Sequence, residues 1–200
     1  MQKINFNDRY DLTQAVIAGR KIMTRRLINL NSTSDVPVRI FAGYIQIIGR
    51  SGNVCVEKKL SYKVGEIVAV AQSYRAAGFD PEYCIEGGTY AKKHAGWRNK
   101  MFVSAKYMPH QIRITGIRCE RLQDISDEDC LLEGVMEHPY IGYVVDGILY
   151  KGHKDYEYNE PMIIFQTPRD AFAMLIDKVS GRGTWASNPW VVVYEFELVK

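Results

Sequence analysis

The stretch Gln111–Arg121, which reads QIRITGIRCER, carries the clearest strand signal in the chain. Ile112 and Ile114 alternate with polar residues, and this period of two places apolar side chains on one face of a β-strand. Comparable runs, rich in β-branched and aromatic residues, occur at Gln2–Asn7, Val38–Ile48, Val54–Leu60, Tyr62–Tyr74 and Pro189–Leu198. A further strand is predicted from Met101 to Met108, before Pro109. The sequence therefore predicts a chain built mostly of strands.

Helical signals are fewer and lie between these runs. Arg9–Ala18 has apolar residues at helical spacing and is followed by Gly19, a typical C-terminal stop. Ser126 is a favourable N-cap for a helix that ends at Gly134, and Thr167-Pro168 opens a helix over Arg169–Val179. Because strands and helices do not alternate regularly, a parallel doubly wound sheet is disfavoured. The pattern favours an α+β fold with a small mixed or antiparallel β-barrel and flanking helices.

The chain of 200 residues suits one domain spanning residues 1–200, because it shows no internal repeat and no compositional break. Two stretches lack the periodic patterns, residues 75–100 and residues 137–162. They combine glycines with tyrosines, and loops of this length within a domain are usually functional or mobile.

Composition sets broad limits on the class of protein. A charged fraction of 24% and a net charge of +3 are ordinary for a soluble protein and permit anionic ligands without requiring them. The four cysteines, Cys55, Cys84, Cys119 and Cys130, form no CxxC pair, so reduced thiols are expected rather than a zinc site. The N-terminus lacks the apolar core of a signal peptide. No uninterrupted run of apolar residues is long enough to span a membrane. We therefore expect a cytoplasmic protein without a membrane partner.

The segment AGRKIMTRR, residues 18–26, combines a lysine amine and a threonine hydroxyl with strong positive charge. The neighbouring cations are Arg20, Arg25 and Arg26, and they are expected to lower the pKa of Lys21. A lysine that can lose its proton can act as a base for the hydroxyl of Thr24. If the helix continues past Gly19, the two groups lie on the same side of it. The alternative is a solvated basic cluster that interacts with the carbonyls at a helix C-terminus.

Glu133 is the acid that the sequence singles out. It stands at the C-terminal end of its predicted helix, where the helix dipole disfavours a carboxylate. This position indicates a tertiary partner, although an exposed helix acid is the simpler alternative. Glu128 and Asp129 are explained as acids of the first turn, where the dipole favours them.

Aromatic residues near the C-terminus offer a second candidate surface. Trp185 and Trp190 provide rings on which bases can stack, and Asn188 provides an amide that can read a base edge. The alternative is that this tryptophan-rich turn belongs to the core.

Five segments occur in order along the chain: AGRKIMTRR, VGEIVAVAQSY, RLQDISDEDCLLEGV, PRDAFAMLIDKVSGRGTW and SNPWVVVYEFEL. Together they resemble the ASCH domain proteins of the PUA-like superfamily, particularly the long members encoded by phages and integrated elements. The resemblance implies a PUA-like β-barrel with a groove between barrel and helices, and a link to RNA or modified nucleosides. It also implies that residues 75–100 and 137–162 are insertions.

Some small bacterial ASCH proteins remove the acetyl group from N(4)-acetylcytidine with a lysine, a threonine and a glutamate. Lys21 and Thr24 match their GRKTxT-type motif, with Ile22 in place of the usual threonine, and Glu133 stands where their glutamate follows a helix. Many long members have a Trp-Val-Arg-Glu-like run where this chain has Ala69 to Gln72, so the resemblance places Gln72 in the groove.

These observations lead to three hypotheses. In the first, the protein binds RNA or a modified nucleoside in a basic groove and, in its catalytic version, hydrolyses an amide. Thr24 is then the nucleophile, Lys21 is its base, and Glu133 orients Lys21 or handles the proton of the leaving group; no metal or cofactor is needed. In the second, it is a non-catalytic RNA-binding module. Its phosphate contacts are Arg20, Arg25 and Arg26, together with Lys106 or Arg113, and the RNA bases stack on Trp185 or Trp190. In the third, it is a phage-related accessory protein with an unknown protein partner.

Overall fold

The computed structural model describes residues 1–28, 37–49, 51–138, 140, 142–148 and 163–199. Four helices are α1 (Leu12–Ile17), α2 (Asp127–Leu132), α3 (Pro168–Ser180) and α4 (Thr184–Ser187). The strands are β1 (Lys3–Ile4), β2 (Met23–Leu27), β3 (Val38–Phe41), β4 (Tyr44–Ile48), β5 (Val54–Lys59), β6 (Ile67–Val70), β7 (Cys84–Ile85), β8 (Thr89–Tyr90), β9 (Gln111–Arg121), β10 (Met136–His138), β11 (Gly142–Val144) and β12 (Trp190–Leu198). The predicted α+β class, with mostly strands and few helices, is confirmed.

The central sheet has five strands in the order β1-β6-β9-β12-β2. The strand β9, from which the sequence interpretation started, lies in the middle of this sheet. Ile112 and Ile114 are fully buried on it, as the alternation predicts. β9 pairs antiparallel with β12 and β6, β12 pairs antiparallel with β2, and β1 pairs parallel with β6.

The described strands do not close into a barrel. β1 and β2 stand at the two edges of the central sheet, and the strands β3, β4 and β5 form a separate antiparallel sheet that contacts β9. The small β-barrel expected from the strand-rich pattern is therefore not confirmed. The sequence also treated Val38–Ile48 as one strand, whereas the chain turns at Ala42 and Gly43, both with positive φ. An alanine there gives no turn signal, because only glycine, asparagine and aspartate are common in that conformation.

The main core lies between the central sheet and α3. Phe172, Leu175 and Ile176 form one buried face of this helix, and Thr167 Oγ1 caps its first turn by accepting a hydrogen bond from the Asp170 amide at 3.1 Å. α3 packs against α2 and α4, so it holds both flanking helices on the sheet. The helix predicted over residues 169–179 is confirmed.

Residues 75–100 pack against a second, smaller core that they share with the segments before and after them. In this core, Tyr74, Phe79 and Tyr107 pack edge to face, with centroids 5.2 to 6.0 Å apart. The strand predicted over residues 101–108 is wrong, because 3₁₀ turns lie at Lys100–Phe102 and Ala105–Tyr107. At the first of these turns the Asn99 side chain accepts a hydrogen bond from the Met101 amide at 3.0 Å, and this cap competes with a strand. Of the other irregular stretch, residues 137–138, 140 and 142–148 are described and include most of a β10–β11 hairpin, while residues 149–162 lie outside the described part.

Within the described ranges, no helix combines the length and the apolar composition needed to cross a membrane.

Cys130 on α2 is fully buried, and burial raises the pKa of its thiol from 9.0 to about 12. Between those values the unfolded chain loses this proton and the folded chain keeps it, so the contribution of Cys130 to stability is present below pH 9 and is lost as pH rises. We expect the free energy of unfolding to fall less steeply with pH in Cys130→Ala than in the wild type, by about 1.4 kcal/mol per pH unit within this window. Urea denaturation between pH 8 and about 11 measures the two slopes.

Cys55→Ala is the matched control, because the Cys55 side chain is exposed to water. Its slope should equal that of the wild type. An unchanged slope in Cys130→Ala would contradict the assignment of this pH dependence to the buried thiol.

Candidate active site

The turn after α1 determines where Lys21 lies. α1 ends at Ile17, Gly19 adopts a positive φ of 72°, and the amides of Arg20 and Lys21 both donate to the Ala15 carbonyl at 2.9 and 3.0 Å. The chain then enters β2 at Met23. The expectation that Lys21 and Thr24 share a helical face is therefore wrong, because Thr24 belongs to a strand. The two residues meet at one site through the sharp turn instead.

Lys21 packs against the C-terminal end of α2. Its Nζ donates to the Glu133 carbonyl at 2.8 Å and to Glu133 Oε2 at 2.5 Å. The Ile22 amide also donates to the Leu132 carbonyl, at 3.1 Å. The cation that helix electrostatics favour at this end of α2 is thus supplied from a distant part of the chain. Both side chains are buried, with 2% of Lys21 and 5% of Glu133 exposed, so Glu133 is not a solvent-exposed helix acid.

Arg25 holds the other oxygen of the same carboxylate. Its Nη1 donates to Glu133 Oε1 at 3.2 Å, its Nη2 to Asp129 Oδ2 at 2.6 Å, and its Nε to Glu120 Oε1 at 2.8 Å. The Arg25 side chain is fully buried. Its charge is therefore compensated inside the protein. Asp129, which the sequence explained as a first-turn acid of α2, is also an ion-pair partner of Arg25.

The pKa of Lys21 is lowered from its ordinary value. The main cause is burial, which disfavours the charged amine, and the positive charges of Arg26 and Arg25 act in the same direction. The Glu133 carboxylate opposes this shift. The sequence predicted the direction from the neighbouring cations, whereas the structure adds burial as the larger cause.

A pocket of about 350 Å³ opens beside β2, and Lys21, Thr24 and Glu133 all line it. Its other polar lining consists of Asn5, Asn7, Arg25, Arg26 and Ser180. The apolar part of the lining comes mainly from α3, through Phe172, Leu175, Ile176 and Val179. The site thus combines an amine, a hydroxyl and a carboxylate with a surface suited to an apolar group.

Thr24 is 5% exposed and lies on β2 opposite Tyr194 of β12. Among the described residues, no hydrogen bond joins its hydroxyl to Lys21 Nζ. Contacts of this kind are often long in ligand-free enzymes and shorten when substrate binds. The structure therefore brings the three predicted groups to one pocket and forms the direct Lys21–Glu133 contact.

Two other predicted binding residues lie outside the pocket lining. Arg20 is exposed and faces Asp11, with Nη2 3.5 Å from Oδ2. Gln72 is buried two residues after the end of β6, and its Nε2 donates to the Ala76 carbonyl at 3.5 Å. Of the predicted cations, Arg25 and Arg26 are the two that reach the pocket.

The tryptophan-rich segment around the start of β12 does not line the pocket. The ring of Trp185 packs edge to face on Phe172 with centroids 6.2 Å apart, and the Arg121 guanidinium lies 4.9 Å from the Trp190 ring centre. Asn188 Oδ1 accepts a hydrogen bond from the Gln123 amide at 2.8 Å. These contacts give Trp185, Asn188 and Trp190 structural partners and leave them outside the pocket lining.

The sequence interpretation missed two parts of the site. The segment Asn5–Asn7 forms one wall, although it carried only a strand signal, and α3 forms the apolar wall, although its apolar residues fit an ordinary core. The sequence interpretation also missed the acidic partners of Arg25, because it treated residues 18–26 as the end of a helix and not as a buried strand, where a charge needs compensation.

Comparison of the chain with protein-family models, with curated proteins and with solved structures gave no match. The function is therefore argued from the pocket itself.

Proposed function

We propose that the protein is an amidohydrolase that removes the acyl group from a small N-acylated molecule, with N(4)-acetylcytidine as the first candidate substrate. One observation carries this proposal. Lys21, Thr24 and Glu133, from a turn, a strand and a helix end, line a single pocket in which Lys21 Nζ lies 2.5 Å from Glu133 Oε2. A nucleophile, a base and a group that orients the base are the parts that acyl transfer requires.

In the proposed reaction, Thr24 Oγ1 attacks the acyl carbonyl carbon while neutral Lys21 Nζ takes the hydroxyl proton. The C–N bond of the tetrahedral intermediate then breaks, and the leaving amine receives that proton from Lys21. Water attacks the resulting ester and gives a proton to Lys21, which returns it to Thr24 Oγ1 as the carboxylic acid leaves. The sum is amide plus water giving acid plus amine.

Glu133 supports this cycle by fixing Lys21 through two acceptors, its carbonyl and its carboxylate. Arg25 fixes Glu133 in turn. The nitrogens of Arg25 already face carboxylates of the protein. Arg25 is therefore less suited to stabilise an oxyanion than the backbone amides near Thr24.

The fold is compatible with the ASCH-type, PUA-like assignment that we propose for it. The two edges of the open central sheet approach each other at the pocket, where Arg26 Nη2 donates to the Asn5 carbonyl at 2.6 Å. This side-chain contact links β2 to the segment after β1. The pocket therefore lies where these two edge strands would pair if the sheet were closed into a barrel.

The nucleophile is tested with Thr24→Ala and Thr24→Ser. We expect the wild type to release cytidine from N(4)-acetylcytidine, Thr24→Ser to retain part of the rate because it keeps a hydroxyl, and Thr24→Ala to lose it. Chromatography measures cytidine, and mass spectrometry of quenched reactions detects an acetyl group on Thr24.

Thr89→Ala, in β8 outside the pocket lining, is the control and should keep the wild-type rate. No release by the wild type would refute this substrate. Equal release by Thr24→Ala and wild type would refute the nucleophile and leave water activated by Lys21 as the remaining route.

The RNA-binding alternative has less support from the geometry, because the Arg25 charge is compensated internally and the tryptophans have structural partners. It predicts an affinity for single-stranded RNA that falls steeply with salt and survives Thr24→Ala. Filter binding at two salt concentrations separates it from the hydrolase proposal.

A further inference from the structure

The cations that line the pocket differ in how far their charges are compensated. Lys21 is paired with Glu133, and Arg25 is paired with Glu120, Asp129 and Glu133. Arg26 has no ion pair with any residue of the described ranges. Among the described residues of the pocket lining, Glu133 is the one carboxylate, and Lys21 and Arg25 already bind it. The wall near Arg26 is therefore left with uncompensated positive charge.

Arg26 is held in place and still has donors to spare. One Nη2 hydrogen is directed at the Asn5 carbonyl, at 2.6 Å, and the guanidinium lies 5.7 Å from the centre of the Phe6 ring. A guanidinium has five N–H donors, and no other acceptor within the described chain takes the remaining ones. The side chain is half-buried, so it is reachable from the pocket. Such a fixed, partly desolvated fork suits a phosphate or carboxylate better than it suits a neutral group.

Lys21 and Arg26 both lie close to the aromatic ring of Phe6. Lys21 Nζ is 5.9 Å and Arg26 Cζ is 5.7 Å from the centre of Phe6. Phe6, Lys21, Thr24 and Arg26 all line the same pocket, so a ligand that contacts Phe6 lies near both Lys21 and the unused donors of Arg26. A pocket of about 350 Å³ limits this ligand to a small molecule.

We propose that Arg26 binds an anionic group of the substrate, so that the scissile amide belongs to a small molecule carrying a phosphate or a carboxylate. This inference rests on the proposed amidohydrolase function and narrows its substrate class. Two sources supply such chemistry, an N-acylated nucleotide with its phosphate and an N-acyl amino acid with its carboxylate. The apolar wall of α3 is compatible with a hydrophobic portion of either.

Equilibrium binding tests the inference separately from catalysis, and the N-acyl pair is also titrated with Thr24→Ala, which lacks the proposed nucleophile and should not turn it over. Calorimetric titration compares cytidine 5′-monophosphate with cytidine, and N-acetylphenylalanine with N-acetylphenylalaninamide, each pair differing in one anionic group. We expect the wild type to prefer the anionic member of at least one pair by about tenfold or more. The pair that shows the preference identifies phosphate or carboxylate as the source.

The variants Arg26→Gln and Arg26→Lys attribute this preference to the guanidinium. Arg26→Gln should abolish it, and Arg26→Lys should retain part of it because the charge remains but the fork is lost. Arg75→Gln, which changes an exposed arginine outside the pocket lining, should keep the wild-type preference. Circular dichroism confirms that each variant is folded.

Equal affinities within both pairs, or a preference that persists in Arg26→Gln, would overturn the inference. Absence of binding by all four ligands would also overturn it. An Arg26-dependent preference without acyl release from any substrate would leave the anion site standing and count against the hydrolase. Acyl release with no preference for the anionic ligands would support the hydrolase and overturn the anion site.

Discussion

Replacement of Glu133 by alanine is expected to lower the free energy of unfolding by about 3–5 kcal/mol, the range for breaking a buried ion pair by removing one partner. The Glu133 carboxylate lies between Lys21 and Arg25 and is 5% exposed. Its removal leaves a buried amine facing a guanidinium with no shared anion, and water cannot solvate either group well. Urea denaturation followed by circular dichroism measures the change.

Glu128→Ala is the matched control, because Glu128 is an exposed acid on the same helix. Its loss should cost less than about 1 kcal/mol, through the first-turn interaction with the helix dipole. Glu133→Gln should fall between the two, since it keeps an acceptor for Lys21 but removes the charge. Similar stabilities of Glu133→Ala and Glu128→Ala would contradict a structural role for the Lys21–Glu133–Arg25 contacts.

Replacement of Lys21 by methionine is expected to reduce acyl release by about 10²–10⁴-fold, the usual contribution of a positioned general base. Methionine keeps an unbranched side chain in the buried position and removes the amine. The lowered pKa of Lys21 also predicts a wild-type rate that rises with pH, because the neutral amine is the active form. The rise should begin below the pH range expected of an ordinary lysine. Rates of cytidine release between pH 6 and about 10 measure both effects.

Lys21→Arg separates the base from its charge, because an arginine keeps the cation but does not deprotonate in proteins. We expect Lys21→Arg to be as inactive as Lys21→Met and to lack the pH-dependent rise. Lys93→Met, at an exposed lysine outside the pocket lining, should retain the wild-type rate and profile. Full activity in Lys21→Arg would show that charge at this position, rather than proton transfer, supports the reaction.

Local patterns predicted much of the secondary structure. The alternation in Gln111–Arg121, the Ser126 cap and the Thr167-Pro168 start all correspond to observed elements, because each depends on neighbouring residues alone. The prediction failed for residues 101–108, where side-chain caps and contacts with the N-terminal segment outweigh strand propensity. Lys3 Nζ, for example, donates to the carbonyls of Lys100, Met101 and Val103 at 2.8 to 3.1 Å.

The candidate site shows the same division between local and tertiary information. The charge around Lys21 and the unfavourable position of Glu133 on its helix were visible in the sequence, and both indicated that a partner was needed. Their distance in space could not be predicted from these local features, and Arg25 was assigned to a ligand although three carboxylates of the protein bind it.

By itself, the sequence determined the strand-rich α+β class, the helix ends and the residue types at the site, because these follow from periodicity, capping and charge. The tertiary structure decided that Lys21 neutralises the end of α2, that Arg25 is internal, and that Arg26 lines the pocket without an ion pair among the described residues. These outcomes depend on which distant groups share a buried, poorly solvated space, where each charge must find a partner. Such pairing is a property of the packed chain and cannot be read from neighbours in sequence.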